Sequence, residues 1–255
     1  MPKRDPCHVG AILLLWSLFF QTASAQAQKA PALGYVFPPT VRAGETTIVQ
    51  LGGFDFTVDM QWFVHDESVR LHSQGPPGDY RIPPPPYWTG PRTSTAALPI
   101  PREVSAQCEV DANAPEGLVR WQVANANGAS ETAVLYVSRG SEIIESRTRD
   151  FPQKLSSLPI GISGRLSRLT EVDRYQLIAE RDGMVSVDLM ARRLGADFNG
   201  VVQVHDETGQ MLADFADTLG LDGGVTFSAS AGKAYTISLH DADFRGDRAY
   251  VYRLA

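Results

Sequence analysis

Short runs of alternating apolar and polar residues, separated by turn residues, dominate this chain. Examples are residues 46–51, 117–125, 201–205, 235–239 and 250–254. Alternation of this kind is typical of β-strands that bury one face. In the last third of the chain the runs recur about every ten residues, the spacing of an antiparallel sandwich with about eight strands. The sequence therefore predicts an all-β protein with two antiparallel β-sandwich domains.

The N-terminus has the pattern of a signal peptide. Lys3 and Arg4 precede an apolar core at residues 9–20, and the small residues of 22–25 follow it, which predicts cleavage after Ala25. The apolar run is shorter than the roughly 20 residues that a membrane-spanning helix needs, and we find no later candidate span. We therefore expect an exported chain that is periplasmic, attached to the cell surface or secreted.

Shifts in composition predict the domain limits. Residues 26–32 are small and polar and are expected to form a disordered leader. The first domain is predicted at 33–138, with a proline-rich insertion at 73–103. The charged stretch 139–158 is expected to be a linker without strands, and the second domain is predicted at 159–255.

The net charge and the cysteine content argue against nucleic-acid binding and an intrachain disulfide. The net charge of −6 argues against nucleic-acid binding, which requires a clustered basic surface. Removal of the signal peptide leaves Cys108 as the only cysteine, so an intrachain disulfide is excluded. Cys108 alternates with Val104, Ala106 and Val110, which predicts a core position rather than a nucleophile. We expect a monomer.

Motifs at both ends of the first domain resemble the immunoglobulin-like IPT/TIG family. The matching motifs are Pro38-Pro39, Ala43-Gly44-Glu45-Thr46, Leu51-Gly52-Gly53-Phe54, Pro115-Glu116-Gly117 and the hairpin signal Asn127-Gly128. The middle of the domain departs from the family pattern. The resemblance implies an Ig-like interaction or spacer module without a shared active site.

The second domain resembles the bacterial pre-peptidase C-terminal (PPC) family over its whole length. The matching motifs are Gly164, Asp173-Arg174-Tyr175, the run 201–204 with Asp206-Glu207-Thr208-Gly209, and Ala231-Gly232-Lys233-Ala234-Tyr235-Thr236-Ile237. The resemblance implies a jelly-roll-like sandwich of the kind appended to secreted hydrolases. In this chain no protease sequence precedes it, which favours an accessory protein or a fragment of a longer one.

The proline-rich insertion contains the first candidate binding residues. Four successive prolines at 83–86 favour a polyproline II rod, and Tyr80, Tyr87 and Trp88 border it. One interpretation is an aromatic contact surface for a glycan or a peptide. The other is a rigid loop whose aromatic residues cover a sheet edge. The sequence leaves both open.

A repeated Ala-Asp-Phe-x-Gly motif, at 196–200 and 242–246, suggests a cation site. The candidate ligands are Asp197, Asp241, Asp243 and Asp247. Calcium prefers such loop carboxylates, and the resembled family includes calcium-binding modules. The alternative is a pair of strand-entry turns in which Asp caps backbone amides, Phe packs inward, and Arg245 and Arg248 neutralise the carboxylates.

We find no motif for catalysis. The chain has no Gly-x-Ser-x-Gly elbow, no His-Glu-x-x-His helix and no phosphate-binding glycine loop. The His-Asp pairs at His65, His205 and His240 each end a strand and are interpreted as turns. The sequence predicts a non-enzymatic binding or accessory protein, used for adhesion or targeting, whose partner is an extracellular polymer or protein. The alternatives are the non-catalytic part of a secreted hydrolase and a calcium-stabilised surface module.

Overall fold

The computed structural model describes residues 29–81, 101–146, 152–217 and 219–255, and they form an all-β protein. The first nine strands are β1 (Ala32–Phe37), β2 (Thr40–Arg42), β3 (Thr46–Phe54), β4 (Gln61–Val64), β5 (Val69–Ser73), β6 (Arg102–Val110), β7 (Gly117–Asn125), β8 (Gly128–Ala129) and β9 (Ala133–Ser138). The next ten are β10 (Glu142–Ile144), β11 (Gln153–Lys154), β12 (Gly161–Arg165), β13 (Asp173–Ile178), β14 (Gly183–Met190), β15 (Gly200–Asp206), β16 (Met211–Ala216), β17 (Gly223–Ala229), β18 (Ala234–Asp241) and β19 (Val251–Leu254). A 3-10 turn at Arg192–Leu194 follows β14.

Strands β1–β9 form the first sandwich. One sheet has the order β1-β3-β6-β5, and the other has the order β2-β9-β7-β4, with β8 paired to β7. Both sheets contribute side chains to a single buried cluster that includes Leu51, Trp121 and Leu135. Trp121 is fully buried and lies 6.0 Å from the ring of Trp62. Burying such large apolar groups is the main stabilising contribution to a core of this kind.

The alternation in β6 explains the position of Cys108. Val104, Ala106, Cys108 and Val110 point into the first sandwich and are buried. The predicted core role of Cys108 is therefore confirmed. Burial raises the pKa of its thiol to about 12, so the reactive thiolate is scarce at neutral pH.

Strands β10–β19 form the second sandwich. Its sheets have the orders β10-β12-β19-β14-β17 and β11-β13-β18-β15-β16. Their facing sides enclose a second buried cluster. Within it, the Oη atoms of Tyr175 and Tyr252 lie 2.5 Å apart, and Tyr252 donates a hydrogen bond to Asp173 Oδ2 at 2.6 Å. These polar groups are tolerated in the core because they are hydrogen-bonded to one another.

The expectation of a strandless stretch at 139–158 is wrong in two places. Strand β10 pairs in parallel with β12, and β11 pairs in parallel with β13. Both are edge strands of only two or three residues, with one hydrogen-bonded neighbour each. Runs of two or three residues are too short to show an alternating pattern, and Glu142 is held by an ion pair with Arg253 rather than by solvent. A third parallel pair, β2 with β9, makes that sheet mixed as well.

The two sandwiches contact each other directly. Tyr35 on β1 packs with the buried cluster of the second sandwich. The guanidinium of Arg165 lies over the ring of Phe37, with its Cζ atom 4.4 Å from the ring centroid. No helix in the described part of the chain has the length and apolar character that crossing a membrane requires.

Candidate functional site

The outward side of one sheet in the second sandwich forms a groove that we call the outer-sheet groove. It crosses β13, β18 and β15, which are hydrogen-bonded neighbours. The registers place side chains in two rows across these strands: Arg174, Ser238 and Gln203 in one row, and Gln176, Thr236 and His205 in the other. Directly paired residues project from the same face of a sheet, so each row presents its side chains together.

Alternation within each strand fixes which residues face the groove. Tyr175, Val202, Val204 and Leu239 point into the core and are buried. Their chain neighbours must then point outward. Polar residues occupy those outward positions, so the groove floor is hydrophilic although the sheet beneath it is apolar.

The outer-sheet groove has a volume of about 670 Å³. At one end lie His240 and Phe244, near the last residues of β18. At the other end lie Asp206, the last residue of β15, and Glu207 and Gly209 in the turn that follows it. The groove therefore runs along the strand direction, and its two ends differ in chemistry.

Phe244 is an exposed aromatic ring held in a constrained loop. Its ring stacks on His240, with the centroids 4.7 Å apart and the planes 13° from parallel, and 45% of the residue is exposed. Its φ of 54° lies in the left-handed region, which is uncommon for a bulky residue. The Phe244 amide donates to the Asp241 carbonyl at 2.8 Å, and the Thr170 amide donates to the Phe244 carbonyl at 2.8 Å. These contacts fix the ring at the groove end.

His240 is a neutral imidazole at neutral pH. Burial lowers its pKa below the ordinary value, the nearby charge of Arg174 lowers it further, and Asp241 only partly opposes both effects. A neutral imidazole offers one hydrogen-bond donor and one acceptor. His240 therefore adds one uncharged hydrogen-bond donor and one acceptor at this end of the groove.

The charged groups of the groove differ in how they are engaged. The Asp206 carboxylate accepts hydrogen bonds from the Thr208 hydroxyl and from the amides of Thr208 and Gln210, which lowers its pKa. Glu207 forms an ion pair with Lys233. Arg174 has only a 3.4 Å hydrogen bond to the Val172 carbonyl, and within residues that the structure describes it forms no ion pair.

The predicted cation ligands lie outside the groove lining. Asp241 is fully buried, and its carboxylate accepts from the amides of Asn199 at 3.0 Å, Asp243 at 3.1 Å and Arg245 at 2.9 Å. The Arg245 guanidinium also binds it, through Nε at 3.1 Å. Burial alone would raise the pKa of Asp241, but these hydrogen bonds hold it below its ordinary value. The buried aspartate thus organises the loop that carries Phe244.

The other three aspartates do not converge with Asp241, and the expected pairing of Arg248 with these aspartates is wrong, because Arg248 pairs with Glu103. Asp197 forms an ion pair with Arg192, and Asp243 lies 3.7 Å from the Nε atom of Arg245. Asp247 accepts a 2.8 Å hydrogen bond from the Ala249 amide. Among the described residues, no three His, Cys, Asp or Glu side chains gather as a metal-binding group. Calcium binding stays a prediction from the sequence.

The two Ala-Asp-Phe-x-Gly motifs differ in the position of their aromatic ring. Phe198 packs inward and is fully buried, as the strand-entry interpretation expected. Phe244 lies outside the core, so that expectation is wrong for the second motif. The difference matters because the exposed ring is the one that lines the outer-sheet groove.

Tyr80 is the one member of the predicted aromatic contact surface that the structure describes. It is 62% exposed, pairs with Arg102 through an isolated bridge, and has the Arg102 guanidinium 5.2 Å from its ring centroid. Tyr87 and Trp88 lie outside the described residues. The aromatic contact surface therefore stays a prediction.

The sequence contains a signal for the groove that is not a motif. Polar residues occupy alternate positions in β13, at Arg174 and Gln176, and in β15, at Gln203 and His205. Alternation alone assigns such residues to solvent. Only the strand order, with β18 between β13 and β15, brings them into one surface.

Comparisons with known proteins give a limited result. No protein-family model matches this chain, and no curated protein matches it. One similar solved structure is SGBP-B of the Bacteroides ovatus mixed-linkage glucan utilization locus in complex with a mixed-linkage heptasaccharide, at 10% identity and a TM-score of 0.24, covering 86% of this chain and 72% of that one. SGBP-B from a complex xyloglucan utilization locus in Bacteroides uniformis has 11% identity and a TM-score of 0.24, covering 89% and 71%. Lac15 from a marine microbial metagenome has 12% identity and a TM-score of 0.21, covering 81% of this chain and 51% of that one. At these values the likeness carries no argument about function.

Proposed function

We propose that this chain is an exported, non-catalytic binding protein whose outer-sheet groove holds an extended polyhydroxylated polymer, a glycan. The observation that carries the proposal is the pairing of two rows of hydrogen-bonding side chains with an exposed, fixed aromatic ring. Such a protein would attach to, or be targeted to, an extracellular polymer.

The groove floor matches the chemistry of sugar hydroxyls. A hydroxyl both donates and accepts hydrogen bonds, and so do the side-chain amides of Gln176 and Gln203 and the hydroxyls of Thr236 and Ser238. Phe244 adds an apolar surface against which the C–H face of a sugar ring packs. A few placed polar groups beside an aromatic side chain are typical of small-ligand sites.

The same geometry disfavours an extended peptide. Peptides that add to a sheet need a free strand edge, because main-chain hydrogen bonds supply much of their affinity. Strands β13, β18 and β15 each have a hydrogen-bonded neighbour on both sides. The groove therefore offers side chains rather than backbone.

A non-catalytic role is supported by the state of the groove carboxylates. Glycoside hydrolysis requires a carboxylic acid with a raised pKa and a second carboxylate across the scissile bond. Asp206 has a lowered pKa and holds its turn, while Glu207 is paired with Lys233. Asp206 is therefore not prepared to donate a proton at neutral pH, and the Glu207 carboxylate is engaged by Lys233.

The test is polymer binding by the whole chain. Wild type would be screened by affinity electrophoresis against soluble polysaccharides, alongside a Gln176→Ala/Gln203→Ala double variant. Gln61→Ala, at an exposed position on β4 of the first sandwich, is the control. We expect the double variant to bind about tenfold or more weakly, since each lost hydrogen bond is worth about 1 kcal/mol, and the control to bind as wild type does. Absence of polysaccharide binding, or equal binding by the double variant, would overturn the proposal.

A further inference from the structure

We infer that the polymer in the outer-sheet groove is an acidic glycan and that Arg174 binds its carboxylate groups. This inference rests on the proposed function, because it names the class of ligand for the same groove. Three observations support it: the positive charge of Arg174 has no carboxylate partner among the described residues, hydrogen-bond donors lie beside Arg174, and the acidic residues of the groove lie at its opposite end.

Arg174 carries a positive charge that faces the outer-sheet groove. It is exposed on the outward face of β13, and among the described residues its side chain forms one hydrogen bond, to the neutral Val172 carbonyl. The groove acids Asp206 and Glu207 are instead engaged with a turn and with Lys233. A guanidinium has five donors in a planar fork that fits both oxygens of a carboxylate. Arg174 therefore presents an anion-binding group that no carboxylate in the described part of the chain pairs with.

The neighbours of Arg174 extend this donor set. Ser238 is its paired residue on β18, and Gln203 is the next member of the same row on β15. A hydroxyl and an amide both donate hydrogen bonds. His240 is close enough for the charge of Arg174 to lower its pKa, and it stacks on Phe244. A sugar ring on Phe244 would hold a carboxylate substituent within this group of donors.

The acids of the groove lie at its opposite end. Asp206 is three residues beyond Gln203 along β15, about 10 Å at strand rise. The groove thus has a cation beside its aromatic end and carboxylates at its turn end. An anionic group on the ligand is attracted to the first and repelled by the second, which orients the chain along the strands.

Matched pairs of polysaccharides test the inference with the whole chain. The probes are polygalacturonate with its methyl ester and hyaluronan with its methyl ester, so each pair differs in charge on an unchanged backbone. A sulfated galactan and its desulfated form separate sulfate from carboxylate recognition. A polyglutamate peptide tests whether charge alone suffices.

The variants are Arg174→Gln, Arg174→Lys and the control Arg181→Gln, whose arginine lies at an exposed turn of the same sandwich outside the groove lining. We expect wild type to bind a carboxylated glycan about 10- to 100-fold more tightly than its ester, the range for a charge-assisted hydrogen bond. Arg174→Gln should abolish this preference, Arg174→Lys should restore part of it, and Arg181→Gln should retain it. Melting temperatures confirm that the variants fold.

The outcomes separate the inference from the proposed function. Binding of neutral and acidic forms with equal affinity, unaffected by Arg174→Gln, would overturn the inference and leave glycan binding intact. A preference for sulfate alone, or a preference that Arg181→Gln removes equally, would also overturn it. Binding of polyglutamate without any polysaccharide, or binding of no probe, would overturn both.

Discussion

Glu103 on the first sandwich and Arg248 on the second form an ion pair in which Arg248 Nε lies 2.8 Å from Glu103 Oε1. The Glu103 side chain is only 3% exposed. Tyr35 donates to the same carboxylate oxygen at 2.6 Å, and Arg81 Nε lies 3.0 Å from the other oxygen. One buried carboxylate thus connects both sandwiches and Arg81, so its loss should affect the whole described structure.

We predict that Glu103→Gln lowers the free energy of unfolding by about 2 kcal/mol. The substitution removes the negative charge that offsets Arg248 and leaves Tyr35 with a weaker acceptor. Urea denaturation followed by fluorescence measures the change. The control is Glu45→Gln, because Glu45 forms an exposed pair with Arg42, which should contribute less than about 1 kcal/mol. Equal effects of the two substitutions would contradict this role for Glu103.

The same carboxylate predicts a pH dependence. Burial alone would raise the pKa of Glu103, but the hydrogen bond from Tyr35 and the pairing with Arg248 bring it below the ordinary value of 4.5. A lowered folded-state pKa gives stability that is present above the unfolded pKa and is lost as pH falls through the folded one. The stability difference between wild type and Glu103→Gln should therefore shrink on acidification below about pH 4.5. A constant difference across the acidic range would contradict the lowered pKa.

The alternating pattern was enough to predict strand class and which residues face the core. Cys108 shows this, because period-two alternation alone placed it inside. Contacts distant in sequence were not predictable in the same way. Arg248 follows Glu103 by 145 positions, and nothing in the run around Glu103 distinguishes it from a solvent-facing strand residue. Edge strand β10 was missed because its three residues are too few to show an alternating pattern.

The candidate sites also depend on contacts between residues that are distant in sequence. The aspartates of 241–247 left two interpretations open, a cation site and turns in which Asp caps backbone amides. Asp241 accepts hydrogen bonds from three backbone amides, as the second interpretation expects, and calcium binding stays a prediction. The capping by Asp241 involves Asn199, which lies 42 positions earlier. The outer-sheet groove depends on strand order, which a one-dimensional pattern does not contain. The sequence showed which residues carry polar or charged side chains, whereas the residues that those side chains contact could be identified only from the fold.

Asp241→Ala should destabilise the protein in calcium-free buffer. The buried carboxylate satisfies three backbone amides and the Arg245 guanidinium, so its removal leaves buried donors without an acceptor. We expect a loss of about 3 kcal/mol, measured by urea denaturation with a chelator present. The control Asp243→Ala, at an exposed side chain, should change stability by less than about 0.5 kcal/mol.

The calcium prediction is tested on the same variants by scanning calorimetry. A calcium site saturated at ten times its dissociation constant would add about 1.4 kcal/mol, which raises the melting temperature of wild type by several degrees. If calcium binds through the predicted aspartates, this rise should disappear in Asp243→Ala. An unchanged melting temperature of wild type would contradict calcium binding and leave the capping role of Asp241 in place.

Gly164→Ala should destabilise the second sandwich by steric overlap. Gly164 on β12 pairs with Tyr252 on β19, and a Cβ atom at Gly164 would lie 2.2 Å from the Oη and Cζ atoms of Tyr252. Tyr252 is fully buried and cannot move aside, because its hydroxyl is fixed by Asp173 and Tyr175. Overpacking of a core at this severity costs about 3 kcal/mol.

The matched control is Gly75→Ala on the first sandwich, where the added methyl group would have no atom within 4 Å and the residue is exposed. It should change the free energy of unfolding by less than about 0.5 kcal/mol. The double variant Gly164→Ala/Tyr252→Phe distinguishes overlap from a general glycine effect, because removing the hydroxyl oxygen relieves one of the two closest contacts. We expect it to be less destabilised than the sum of its single variants. Strict additivity would show that the Tyr252 hydroxyl is not what excludes a side chain at Gly164.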